Sequence, residues 1–195
     1  MRHRLPSLSA VAVSVAILSG TVTDARGETR PIDVEHSTLT VLVYKSGLLS
    51  AFADNHVISA PIASASISEE TPLSIDVTVR SADLRVTDSS LAPERRAEVQ
   101  ARMLGSEVLD VAKFPEIAFA STTIESAGTD RWQVTGRLTI HGQMRLIRFS
   151  AARMDGTYRG DVVIKQRDFG IEPIKVAGGA VKVKDELKVQ FEIVR

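Results

Sequence analysis

Three histidines, two adjacent serines and one Asp-Phe-Gly triplet are the residues beyond the first 27 whose types could do chemistry. His36, His56 and His141 could supply the three imidazoles of a catalytic zinc site, leaving the fourth position of a tetrahedral ion for water. They lie far apart in the chain, so only a fold that converged all three could build that site. Structural roles fit the local sequence better. His56 follows Asp54 and Asn55 in a turn and strand-start cluster, and His141-Gly142 reads as a hairpin turn. Ser89 and Ser90 lack a G-x-S-x-G elbow and have no partnered histidine nearby, which argues against hydrolysis. Asp168-Phe169-Gly170 shares its letters with a kinase motif, but no Gly-rich loop or catalytic-loop signature accompanies it. Asp168 is read instead as stabilising a turn, with Phe169 packed beneath it. No catalytic residue, metal ligand or cofactor is therefore assigned, and the chain is expected not to be an enzyme.

The elements that would position any site begin after residue 27. Arg2 and Arg4 form a positive start, Leu8 to Leu18 an apolar core short for a bilayer, and Ala25 and Gly27 a small-residue boundary. These are the three parts of a secretory signal, so export to the periplasm with cleavage near Gly27 is expected, a retained membrane anchor being the alternative. The chain has no cysteine, which removes lipoprotein anchoring, disulfides and thiol chemistry. Residues 28–195 are long enough for one domain with a sizeable core. Without Arg2, Arg4, Arg26 and Asp24 they keep 21 of the 24 Lys and Arg and 23 of the 24 Asp and Glu. Such balance implies no strong field for nucleic acid or anionic lipid.

Period-two alternation dominates this segment. Leu39, Val41 and Val43 share one face of TLTVLVY, and Leu73, Ile75, Val77 and Val79 share one face of LSIDVTV. WQVTGRLTIHG sets Trp132, Val134, Leu138 and Ile140 against Gln133, Thr135, Arg137 and Thr139. Clean alternation belongs to antiparallel strands with one wet face. HVISAPIASASI, EIAFASTTIES, RLIRFSAARM, YRGDVVIKQ and a terminal pair within GAVKVKDELKVQFEIV suggest further strands. About eight in succession imply an all-β barrel or sandwich.

One helical segment interrupts them. Pro93 suits a first turn, Glu94 favours the positive end of the helix dipole, and Ala97, Val99, Met103 and Leu104 give a rough apolar stripe. After Gly105 a break and a second short turn are expected, which Pro115 ends by pushing Phe114 out of the helical region. VLDVAKFPEIAFAST, Val108 to Thr122, therefore reads as a cap over one barrel end joined directly to a strand, with Leu109 and Phe114 buried and Lys113 and Glu116 exposed.

These residues resemble the YceI-like family, whose LD…(Y/F)P.I.F.S signature matches VLDVAKFPEIAFAST. GLLSAFADNHVI, VTGRLTIHG, KQRDFGI and VKVKDELKVQFEIV agree in the same order, so the resemblance spans roughly residues 30–195. It implies a periplasmic, lipocalin-like antiparallel barrel whose elongated apolar interior binds a polyisoprenoid or similar long-chain amphiphile. The chain departs from the family pattern at Ala53-Asp54, where a His-containing subgroup has Gly-His, and at Gln166, where many members have Arg. Arg167, one place along, would face the opposite side if the segment were a strand.

The residues themselves agree with a binding barrel. A small closed barrel is either filled by its own side chains or holds one ligand, and this chain has only 5% aromatic residues. Burying on the order of 500 Å² of hydrocarbon contributes roughly 12 kcal/mol before association costs, so few polar contacts are needed. Strand parity assigns Leu39, Val41, Val43, Ile75, Val77, Val79, Ile117, Phe119, Trp132, Val134, Leu138 and Ile140 to the apolar cavity wall. The expected function is binding, storage or transport of an isoprenoid-type lipid, with transient membrane contact. The alternatives are a packed interaction or stress-response module without lipid, whose interior would be filled, and an enzyme on lipid-like substrates.

Overall fold

A computed structural model describes residues 30–47 and 55–195. The signal-like segment 1–27 and the Ala53-Asp54 departure lie outside the described residues. The strands are β1 (Arg30–Pro31), β2 (Asp33–Ser46), β3 (His56–Ser59), β4 (Ile62–Ser68), β5 (Ser74–Arg80) and β6 (Arg85–Val86). After helix α1 (Pro93–Leu104) come β7 (Glu116–Ser126), β8 (Arg131–Ile140), β9 (Gln143–Met154), β10 (Thr157–Lys165), β11 (Lys175–Val176) and β12 (Val181–Val194). All belong to one antiparallel sheet with the path β1-β4-β5-β7-β8-β9-β10-β12-β2-β3-β6, β11 adding to β12.

Twelve strand segments exceed the eight or so expected. The excess has a physical origin. β1 runs into β2 across Ile32, and HVISAPIASASI is divided into β3 and β4 at Ala60-Pro61, where proline cannot donate to a ladder. The two divided runs still face each other. Pro31 lies opposite Ser66 and Val41 opposite Ile58. Ile32 N donates to Ala65 O (3.3 Å) and Ala60 N to Leu39 O (2.9 Å). The two ends of the sheet path are thereby brought together, and the sheet curls around a common interior. The terminal pair expected in GAVKVKDELKVQFEIV is instead one long strand, β12, which absorbs an irregularity between Val183 and Leu187 while pairing with β2.

Turn chemistry fixes the hairpins. His141 and Gly142 adopt φ of +50° and +70°, the double left-handed conformation that joins β8 to β9 with the twist of the strands. Helix α1 has proline in its first turn and ends at Gly105, whose amide reaches Ala101 O and Arg102 O. From there to Phe114 the chain makes hydrogen-bonded turns, with Asp110 N on Gly105 O and Phe114 N on Asp110 O, both 2.8 Å. No second α-helix forms among the described residues. Pro115 ends these turns, its carbonyl accepting from Ser81 N (2.8 Å), and β7 starts at the next residue.

Two expectations about this cap need correction. Leu109 is buried and Lys113 and Glu116 are exposed, but Phe114 is only half-buried. Its ring rests on the β8–β9 turn, 4.2 Å from the His141 ring, with the Lys113 ammonium 5.2 Å from its own centroid. Ala97 is exposed, so it does not belong to the buried stripe of α1. Gln100 is on the packed face instead: its side-chain oxygen accepts from Val86 N and its nitrogen donates to Leu84 O, both at 2.7 Å. One amide side chain thus continues the ladder at the short β6 edge.

Candidate functional site

Closure of an alternating sheet turns one face of every strand toward the same space. That space is a cavity of about 1300 Å³, larger than the ~300–1,000 Å³ of ordinary small-molecule pockets. All twelve residues assigned from strand parity border it. Leu39, Val41 and Val43 come from β2, Ile75, Val77 and Val79 from β5, and Ile117 and Phe119 from β7. Trp132, Val134, Leu138 and Ile140 come from β8. Only Val79, Val134 and Ile140 of these are buried; the other nine are partly buried and keep some accessible surface while bordering the cavity.

Parity missed the half of the wall that alternates less cleanly. Ile147 and Phe149 on β9, Val162 and Ile164 on β10, and Leu187, Val189 and Phe191 on β12 also face inward. Three rings cross the wall in a row, Phe119 to Phe149 at 5.5 Å and Phe149 to Phe191 at 5.4 Å. Glycines make room for two of them. A Cβ on Gly136 would lie 2.4 Å from the Phe119 ring, and one on Gly160 would lie 2.6 Å from the Phe191 ring. The rings therefore lie along the neighbouring strands, which leaves the bore open.

The two ends of the cavity differ. At one end α1 and its flanking turns pack Leu84, Leu91, Met103 and Leu109 into the larger apolar cluster, with Arg95, Glu98, Arg102 and Lys182 at the margin. The other end holds a smaller cluster of Ile32, Ile62 and Ile193. There Tyr158 Oη donates to Glu69 Oε1 (2.5 Å), Arg195 also pairs with Glu69, and Arg153 pairs with Asp130 (2.7 Å). The Tyr158 hydroxyl, with Arg195 adding to it, holds the Glu69 carboxyl below its ordinary range; burial, then the same hydrogen bond, pushes the Tyr158 phenol up. Lys182 and Ile193 are eleven residues apart on β12, about 35 Å of strand, so the walls suit an elongated ligand.

The polar residues singled out in the sequence do not come together. His36 Nδ1 contacts Asp33 (2.7 Å) on the exposed start of β2. His56 Nδ1 contacts Asp88 Oδ2 (2.7 Å), whose other oxygen accepts from Val57 N (2.6 Å), so this pair ties β3 to the segment after β6. His141 occupies its turn. Among the described residues no group of three His, Cys, Asp or Glu side chains could hold a metal ion. Gln166 to Phe169 form a 3-10 turn rather than a strand, so the opposite-face argument for Arg167 does not apply. Gln166 is buried and donates to Lys184 O (2.8 Å), Phe169 is 2% exposed beneath the turn, and Arg167 pairs on the surface with Glu172 and Asp185.

The class the structure defines is a curled, mostly antiparallel β-sheet around a large, mainly apolar cavity. Residues 9–195 match the model of the YceI-like domain, and the chain belongs to that family. Solved structures agree in fold. Burkholderia cenocepacia BcnA superposes with a TM-score of 0.66 at 19% identity, covering 83% of this chain and 98% of its own. A polyisoprenoid-binding domain from Saccharophagus degradans, implicated in plant cell wall breakdown, gives 0.56 at 13% identity over 84% of this chain and 95% of its own. A UPF0312 protein of Pseudomonas savastanoi pv. phaseolicola is 34% identical over 106 residues, 49% of this chain and 53% of the relative. The chain thus spans about half the length of the curated relatives it matches.

Proposed function

We propose that this chain is a periplasmic binding protein for a polyisoprenoid or similar long-chain amphiphile, which it carries or stores inside the curled sheet. One observation carries the reading: a cavity of about 1300 Å³ whose wall is mostly aliphatic and aromatic side chains, many of them only partly buried. A packed module would have those side chains buried against one another at crystal-like density. Membership of the YceI-like family supports the reading, as does the fold shared with a domain described as polyisoprenoid-binding. The twelve parity residues form the hydrocarbon contact in this proposal, and cavity length and shape set specificity. Binding rather than catalysis is proposed because the titratable residues singled out in the sequence sit in separate structural contacts. Export rests on the signal-like pattern of residues 1–27.

Titration with a fluorescent long-chain prenyl lipid tests this. The expected outcome is saturable binding at one lipid per chain, displaced by unlabelled long-chain isoprenoid and not by a short prenyl alcohol. Absence of saturable binding, or equal displacement by both, would overturn it.

A further inference from the structure

The ladder between β9 and β10 stops early. It runs from Thr157 opposite Met154 to Asp161 opposite Ser150. Beyond that, β9 from residue 143 to 149 pairs only with β8, and β10 from residue 162 to 165 pairs only with β12. No strand pairing joins these two stretches among the described residues. The seam ends where Gly170 comes back against His141 and Gln143.

A groove of about 700 Å³ lies over this seam on the outer surface. Tyr44, Ile147, Val162, Ile164, Phe169 and Leu187 border both the groove and the interior cavity, so a single layer of side chains separates them. The two most exposed large apolar residues line it: Leu146 at 68% and Val163 at 59%. Five Lys and Arg side chains face two carboxylates around the groove. Even counting Glu125 beside Arg148 and Asp161 beside Lys188, positive charge is in excess.

We propose that the β9–β10 seam is a side portal at which the protein meets an anionic lipid surface and through which a hydrocarbon chain passes between that surface and the cavity. Parting a ladder elsewhere in the sheet breaks its backbone hydrogen bonds, whereas parting this seam breaks no strand pairing and displaces packed side chains, Phe169 of the Gln166–Phe169 turn among them. Exposed Leu and Val enter the acyl boundary while Lys165 and Lys184 reach toward phosphates, their stems along the apolar surface. The proposal rests on the lipid-binding reading and adds the route.

The test uses the full chain, a fluorescent long-chain prenyl lipid, and vesicles of phosphatidylglycerol or of phosphatidylcholine alone. Leu146→Asp combined with Val163→Asp is expected to slow uptake from phosphatidylglycerol vesicles by about tenfold or more, while lipid supplied in detergent loads to the wild-type level. Lys165→Glu with Lys184→Glu, which keeps Leu146 and Val163 in place, is expected to slow uptake several-fold from phosphatidylglycerol and to leave phosphatidylcholine unaffected. Wild-type uptake rates in both double variants would overturn the portal while leaving the binding reading intact. Failure of the wild-type chain to load even from detergent would overturn the binding reading and the portal with it.

Discussion

Gly136 and Gly160 set the bore of the cavity. A methyl group at Gly136 would meet the Phe119 ring at 2.4 Å and Ala120 O at 2.7 Å; at Gly160 it would meet Ser150 O at 2.4 Å and the Phe191 ring at 2.6 Å. A ring end can swing away, but only into the lumen, and a neighbouring backbone carbonyl cannot. Gly136→Ala is therefore expected to cost about 1–3 kcal/mol by overpacking, read from denaturant midpoints. It should also weaken binding of the longest prenyl chains more than of short ones. Neither glycine was legible as a wall residue in the sequence, because its role depends on which strand lies beside it. The twelve wall residues were legible because a half-buried antiparallel strand repeats every second residue, and that signal is local. β9 hides it: Met144 and Leu146 point outward while Ile147 and Phe149 point inward, so both faces carry apolar residues.

Among the elements, the cap shows what Pro115 does. Helix α1 cannot run into β7 without a reversal, and the turns from Gly105 to Phe114 supply it, pinned by one buried side chain, Leu109. Leu109→Ala is expected to cost about 2–5 kcal/mol in chemical denaturation. Phe114→Ala should cost less, about 1–2 kcal/mol, because that half-buried ring covers a surface turn. Equal losses would contradict this assignment. A 3.6-residue pattern cannot distinguish such packed turns from a helix, since both place Val108, Leu109 and Val111 near one face. At the far end Tyr158 joins β10 to Glu69, just after β4. Glu69 is depressed in the folded chain, so its contribution to stability is present above the ordinary carboxylate range and is lost as pH falls through its folded value. Tyr158→Phe should lower the denaturation midpoint near neutral pH, and its deficit against wild type should shrink on acidification through that window. A deficit independent of pH would show that the phenol acts by packing alone.

At the scale of the whole molecule, the described strands wrap a cavity that their own side chains leave partly open. Strand count could not be read reliably because two long strands are interrupted, at Ile32 and at Ala60-Pro61, and closure of the sheet is a property of register between segments distant in sequence. The emptiness was foreshadowed only by composition, few aromatics among many Val, Ile, Leu and Ala. A folded state that binds hydrocarbon in such a space gains stability by mass action, which an unfilled packed module would not. The most direct measurement is mass spectrometry of organic extracts from the purified wild-type chain and from two variants on β5. Val77 borders the cavity and Thr78 is on the opposite face of the strand, so Val77→Trp should obstruct the lumen and Thr78→Glu should not. The account predicts a stoichiometric long-chain isoprenoid-type lipid in wild type and in Thr78→Glu, and its loss from Val77→Trp. No lipid in the wild-type extract, or equal lipid in Val77→Trp and wild type, would contradict it.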